Sequence, residues 1–290
     1  MNEFYLTAND GFKISVAYFP VENPKMLVQI EHGALEHKER YYDLISYFNK
    51  CGYSCIVSDN RGHGHSIDKK YIRGYMDNYP EMIDDLVIVS NYIKSKNKNV
   101  KLAMLGQSMG SMLARLYLAD NDASISKLIL TGTANWKPIA KCGIYLCKLI
   151  EKLKGPYGYS KMLDNISGIN KPKEKWISYN KDNIKAIYED NLYTKRFTIR
   201  GNTTIGMMCR DLNEISMYKC KNKNLPILSL NGIDDPITGK KAGLKKSESI
   251  LRQIGYKNVK FEILDNMMHE VLQETNKELV WNKINTFLNQ

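Results

Sequence analysis

Two rhythms alternate along the chain: short apolar or alternating runs that predict strands, and longer stretches with an apolar residue every third or fourth position that predict helices. Glu3–Ala8 and Lys13–Phe19 flank Asn9-Asp10-Gly11. The Asp-Gly step suits the positive φ of a tight turn, so this pair reads as an antiparallel hairpin. Further strands are expected at Met26–Glu31, Tyr53–Ser58, Val100–Leu105, Lys127–Thr131, Leu225–Leu230 and Val259–Leu264. Helices are expected at Arg40–Lys50, Glu81–Lys96, Met109–Ala119, Lys240–Gly255 and Thr275–Leu288. Strands alternating with helices predict an α/β fold with a mostly parallel sheet covered on both faces. The rhythm breaks after Gly132. Residues 135–215 carry Trp136, Trp176, several Gly and Pro and no clear strand, so they read as a helical insertion between a first core segment, 1–134, and a second, 216–290.

Composition narrows the class. At 290 residues, 43% hydrophobic and 25% charged, the chain is neither disordered, collagen-like nor a disulfide miniprotein. The net charge of +11 invites a nucleic-acid or anionic-membrane partner. Only eight of the 42 cationic residues are Arg, however, and the lysines are scattered. Bidentate base reading favours Arg, and no nucleic-acid motif is present, so no nucleic-acid partner is expected. The N-terminal segment has no basic region followed by an apolar stretch, and no apolar run approaches the roughly 18–20 residues of a spanning helix. Cys51, Cys55, Cys142, Cys147, Cys209 and Cys220 show neither Cys-x-x-Cys nor zinc spacing. They read as small buried hydrophobes in a cytoplasmic protein, monomeric or homodimeric.

The chemistry concentrates at Gly106-Gln107-Ser108-Met109-Gly110, between an expected strand and an expected helix. Gly-x-Ser-x-Gly at such a junction is a nucleophile elbow, whose glycines let strand and helix crowd the turn. The helix N-terminus behind Ser108 favours developing negative charge. A serine needs a base, and the base an orienting acid, in the chain order Ser, Asp or Glu, His. His269 is the one histidine downstream of Ser108, and it follows the Val259–Leu264 strand. The acid belongs after Leu225–Leu230, where Asp234 and Asp235 stand side by side. Met109 and Ala34, the latter in the loop after Met26–Glu31, are the candidate backbone N–H donors of an oxyanion hole. This chemistry requires no cofactor and no metal.

These residues resemble one branch of the α/β-hydrolases, that of monoacylglycerol lipases, bacterial lysophospholipases and serine aminopeptidase-type hydrolases. His32-Gly33-Ala34-Leu35-Glu36-His37-Lys38-Glu39-Arg40-Tyr41 is similar to its His-Gly-x-x-Glu-His-x-x-Arg-Tyr loop. Asp59-Asn60-Arg61-Gly62-His63-Gly64-His65-Ser66 is similar to its Asp-x-Arg-Gly-His-Gly-x-Ser. Gly232-Ile233-Asp234-Asp235-Pro236-Ile237 resembles Gly-x-x-Asp-x-hydrophobic, which selects Asp235 as the acid and leaves Asp234 in reserve. The chain departs at Gln107, where the branch carries His, and at Ser111, where it carries Gly.

The resemblance implies an eight-stranded α/β-hydrolase sheet with 135–215 as a cap. It implies hydrolysis of carboxylic esters, monoacylglycerols or lysophospholipids, through an acyl-enzyme; an aminopeptidase or other amide hydrolase is the alternative, and a binding module without catalysis the remoter one. Leu35, Gln107 and Trp136 are candidates for the substrate pocket. His32 and His37 are expected to hold the oxyanion loop, His63 and His65 to pack beneath the site, and Asp84 and Asp85 to favour a helix dipole. In the insertion, Ile139, Cys142, Leu146, Leu149 and Leu153 form an apolar face. Lys137, Lys141, Lys148 and Lys152 form a basic stripe suited to peripheral contact with an anionic membrane.

Overall fold

Consecutive residues of the central strands serve two different cores. Leu27, Met104 and Leu128 face one set of helices, while their neighbours Val28, Leu105 and Ile129 face another. That period of two, apolar on both sides, is the signature of a sheet buried on both faces. The computed structural model describes residues 1–134, 140–167 and 172–290. Its strands are β1 (Asn2–Thr7), β2 (Lys13–Phe19), β3 (Met26–Glu31), β4 (Tyr53–Ser58), β5 (Leu102–Gln107), β6 (Lys127–Thr131), β7 (Ile227–Gly232) and β8 (Val259–Leu264). They form one sheet in the order β1-β2-β4-β3-β5-β6-β7-β8. β2 pairs antiparallel with β1 and β4, and every later pair is parallel.

Helices α1 (Tyr42–Lys50) and α9 (Lys277–Asn289) cover one face, α2 (Tyr79–Lys96), α3 (Met109–Asn121) and α8 (Lys240–Ile254) the other. Between β6 and β7 run α4 (Ala140–Lys154), α5 (Lys161–Ser167), α6 (Lys181–Glu189) and α7 (Ile199–Asp211), with no strand among the described residues there. β5 and β7 each lie two residues later than the sequence suggests. Their parallel register, Leu27 with Leu102 and Gly232 with Leu264, carries both strands up to the turns that hold Ser108 and Asp235. α2 starts two residues early because the Asn78 side chain caps it, accepting from the Glu81 N–H.

Several local readings change. Asp85 lies well inside α2 and does not serve its dipole; its carboxylate takes Arg61 Nε at 2.6 Å, while the other edge of that guanidinium reaches Asp10 at 2.6 Å. Arg61 thereby pins the β1–β2 turn to α2, its guanidinium stacked on Phe12. His65 is exposed beside Glu39 and packs under nothing. Of the cysteines, Cys142 is exposed and Cys51 and Cys209 are half-buried. α4 turns most of its expected apolar face outward. Ile144 and Cys147 turn inward, and Cys142, Leu149 and Leu153 turn out. Close packing of α4 on α7, where a Cβ at Gly206 would meet Ile144 at 2.9 Å, sets this orientation. Lys137 and Ile139 lie outside the described residues, as does the side chain of Lys141.

Glu31, at the end of β3, is wholly buried, and its Oε2 has no hydrogen-bond partner among the described residues. Burial pushes its carboxyl up to about 8, against a hydrogen bond from Gln29 and with a further push from Asp85. The folded chain thus keeps a proton that the unfolded chain releases near pH 4.5, so the group costs stability progressively as pH rises from there to about 8. Glu31→Gln is expected to raise the thermal midpoint at pH 7, by an amount equivalent to roughly 1–3 kcal/mol, with the gain vanishing below about pH 4. Calorimetry at both pH values checks this; a gain independent of pH would contradict it.

Candidate active site

Ser108 sits where β5 turns into α3, with φ 52° and ψ −113°, a conformation that disfavours any side chain and costs about 1–3 kcal/mol. The turn closes only because its flanks are glycines. A Cβ at Gly106 would lie 2.4 Å from the Gly110 carbonyl oxygen, and one at Gly110 would lie 2.1 Å from that of Glu31. The turn lifts the Ser108 hydroxyl to 2.7 Å from His269 Nε2, and His269 Nδ1 lies 2.8 Å from Asp235 Oδ2. A carboxylate only accepts, so Nδ1 carries the ring proton and Nε2 accepts from Ser108. Burial alone would push the imidazole down; the Asp235 carboxylate, with Glu270 and Glu36 farther out, more than offsets this and holds it above the usual histidine value. Asp235 is itself fixed by the Ile237 N–H, which donates to Oδ1 at 2.7 Å. Asp234 faces elsewhere, accepting from the Tyr179 hydroxyl at 3.0 Å.

The loop after β3 approaches Ser108 so closely that a Cβ at Gly33 would lie 3.2 Å from the Ser108 Cβ. Burial pushes the His32 imidazole down to about 4, so it is neutral near pH 7. Its Nε2 accepts the Asn60 backbone N–H at 2.9 Å, which leaves Nδ1–H to donate to the Gly33 carbonyl at 2.7 Å. In a trans peptide the carbonyl and the following N–H point opposite ways. Holding the Gly33 carbonyl against His32 therefore turns the Ala34 N–H away from it. Neither the Ala34 nor the Met109 N–H donates to another described residue, and both residues line the same cavity as Ser108. His37 anchors the loop to Asp190 at 2.6 Å. The Thr194 N–H donates to the Leu35 carbonyl at 2.7 Å.

A cavity of about 260 Å³ opens from Ser108 and His269. Leu35, Met112, Leu146, Leu163, Phe197 and Ile205 give it apolar walls, and among the described residues on them Lys173 carries a full charge. Gln107 is not on the wall. It is buried behind it, donating to the His269 carbonyl at 3.2 Å and accepting from Thr131, because the next residue, Ser108, takes the outward position. Trp136 lies outside the described residues. Trp176 of the insertion, not among the pocket candidates, has its ring 5.5 Å from the His269 imidazole, and its carbonyl accepts the His269 N–H at 3.3 Å. Nothing in the motifs signals it. Ile237, the hydrophobic position that helped to select Asp235 as the acid, is also on the wall, though it was not among the pocket candidates.

Residues 22–276 match the family described as serine aminopeptidase, S33. The chain belongs to this hydrolase family. Over nearly its whole length it is similar to the monoglyceride lipase of Rattus norvegicus, 24% identical over 98% of this chain and 89% of that one. It is likewise similar to a probable lysophospholipase L2 of Haemophilus influenzae, 26% identical over 98% and 91%. A shorter match, 34% identical, joins 38% of this chain to 39% of a monoglyceride lipase homolog of Monkeypox virus. Among solved structures, a thermostable carboxyl esterase of Bacillus coagulans in complex with glycerol superposes with a TM-score of 0.87 at 26% identity, covering 99% of this chain and 97% of that one. The α/β-hydrolase fold of the S33 family is thus the fold of this chain.

His32→Phe releases the Gly33 carbonyl, and with it the aim of the Ala34 N–H. Aryl-ester assays are expected to show kcat down by ~10-fold or more with KM within about threefold, since such a donor acts on the transition state. An unchanged kcat would contradict that role.

Proposed function

We propose that the chain hydrolyses carboxylic esters of long-chain acids, monoacylglycerols or lysophospholipids, through an acyl-enzyme formed on Ser108. The observation that carries this reading is the Ser108–His269–Asp235 relay opening into an apolar cavity. Ser108 attacks the ester carbonyl while His269 Nε2 takes its proton, and Asp235 steadies the imidazolium. The N–H groups of Ala34 and Met109 receive the tetrahedral oxyanion. His269 then protonates the leaving alcohol and activates the water that releases the acid. The apolar walls suit an acyl chain. Trp176, whose indole N–H has no hydrogen-bond partner among the described residues, and Lys173 supply polar groups for a glycerol or phosphate head.

The same walls count against an aminopeptidase. A free α-amino group calls for a carboxylate, and the described lining holds none. In this reading the helical insertion caps the site, and it also meets the lipid surface. Tyr145, Leu149 and Leu153 of α4 are exposed on the helix that also exposes Lys148 and Lys152, and Met162 and Ile166 of α5 are exposed as well. Apolar side chains flanked by lysines suit an anionic interface.

Turnover of p-nitrophenyl esters is expected to rise from acetyl toward medium and long chains, to exceed that of aminoacyl p-nitroanilides, and to fall ~10³-fold or more in Ser108→Ala. Undiminished hydrolysis by that variant, or faster cleavage of the anilides, would sink the reading. The double variant Leu149→Asp/Leu153→Asp is expected to lose sedimentation with phosphatidylglycerol vesicles while keeping its rate on soluble short-chain esters. Retained sedimentation would remove the membrane role.

A further inference from the structure

Three charged side chains are buried between the two loops that meet at Ser108. Arg40 Nε donates to Glu36 Oε2 at 2.9 Å, and its Nη2 donates to Glu270 Oε2 at 2.7 Å. The Arg40 side chain is 7% exposed, and the carboxylates are as deeply covered. Glu36 lies on the oxyanion loop, where its Oε1 accepts the Gly33 N–H and the Tyr41 hydroxyl. Glu270 directly follows His269. Asn183 of α6 closes the cluster, accepting from Arg40 at 3.0 Å and donating to Glu270 at 2.9 Å. Gln273 donates to the Arg40 carbonyl at 2.6 Å. As a source of stability, such a cluster is poor: apolar residues of similar volume commonly serve as well or better. What a guanidinium adds is direction, because its planar fork fixes two carboxylates in one plane.

We propose that Glu36, Arg40 and Glu270 form a charged brace that sets the oxyanion loop and the His269 loop in mutual register, with Arg40 and Glu270 as positioning residues for the hydrolysis read above, on which this inference rests. Two carboxylates about one guanidinium leave the brace net negative, beside the ring that becomes cationic when Ser108 loses its proton. The charged and titratable groups acting on that ring are Asp235 at Nδ1, Ser108 at Nε2 and the carboxylates of the brace, and the uncharged Trp176 ring packs against it. Beyond these stand Lys173 and the Tyr193 phenol on the cavity wall, and the His37–Asp190 pair behind them. Lys173 opposes the brace's negative charge.

The test is kcat and KM against pH for three variants, with soluble ester as substrate. Glu270→Gln removes negative charge near the ring. The ascending limb of its kcat/KM profile is expected to move to lower pH by ~0.5 unit or more, with kcat down by ~10-fold. Arg40→Lys keeps the charge and loses the fork, so kcat is expected to fall by ~10-fold with KM within about threefold and the limb unmoved. Arg40→Met/Glu270→Gln removes one charge of each sign, and its limb is expected to return to the wild-type position while kcat stays low. An unmoved limb in Glu270→Gln, or an Arg40→Lys kcat within about twofold of wild type, overturns the brace. Should Glu270→Gln fail to fold, Arg40→Lys decides alone. Wild-type behaviour of these variants alongside an inactive Ser108→Ala removes the brace and leaves the proposed hydrolysis standing; an active Ser108→Ala removes the hydrolysis.

Discussion

At the turn between β5 and α3, two stretches of backbone pass closer than any side chain would allow. Gly106 and Gly110 sit against carbonyl oxygens at distances that would put a Cβ at 2.4 and 2.1 Å, and Ser108 between them takes up a disfavoured φ and ψ. The contact at Gly110 is with Glu31, the last residue of β3, so the elbow and the loop after β3 are set against each other by the same packing. The parallel register of β3 with β5, fixed over the whole strand, supplies the rigidity that this strain requires. Everything at the site that depends on proximity to Ser108, from the Gly33 backbone to His269, follows from that approach.

The insertion is fastened to both halves of the site. The backbone N–H groups of His269 and Glu270 donate to the carbonyls of Trp176 and Ile177, and Thr194 holds Leu35. Glu274 accepts from Ser178, Tyr179 and Met268, tying the segment after His269 to the same stretch. A helical insertion bonded this way to the loop that carries His269 and to the loop after β3 couples the shape of the cavity to the arrangement of Ser108, His269 and Ala34.

The sheet was legible because its signal is local: each strand is a short apolar or alternating run, and Gly, Asp or Asn mark many of the turns between them. The relay was legible too, since Ser108 sits in a motif, His269 stands alone downstream, and the fold prescribes the order. The rest depended on side-chain paths that no local pattern encodes. The orientation of α4, which the spacing of its apolar residues leaves open, follows from how closely α7 approaches it at Gly206, and it leaves Leu149 and Leu153 facing solvent. Gln107, adjacent to the nucleophile, is turned behind the wall by the alternation of β5, and Asp85 answers to Arg61 across the fold rather than to its own helix. Glu36 and Arg40 stood in plain view within a motif, but their partner Glu270 lies 230 residues away from Arg40 in the chain.

The proposed chemistry stands or falls on the Ser108 oxygen acting as the nucleophile. Intact-mass and peptide-level mass spectrometry after reaction with a fluorophosphonate, which phosphonylates an activated serine, tests this. One adduct per chain is expected, on the peptide bearing Ser108, formed at a rate that rises with pH as the His269 imidazolium gives up its proton. An unmodified Ser108 peptide in folded, fully treated protein, or an adduct carried by another residue, would contradict it.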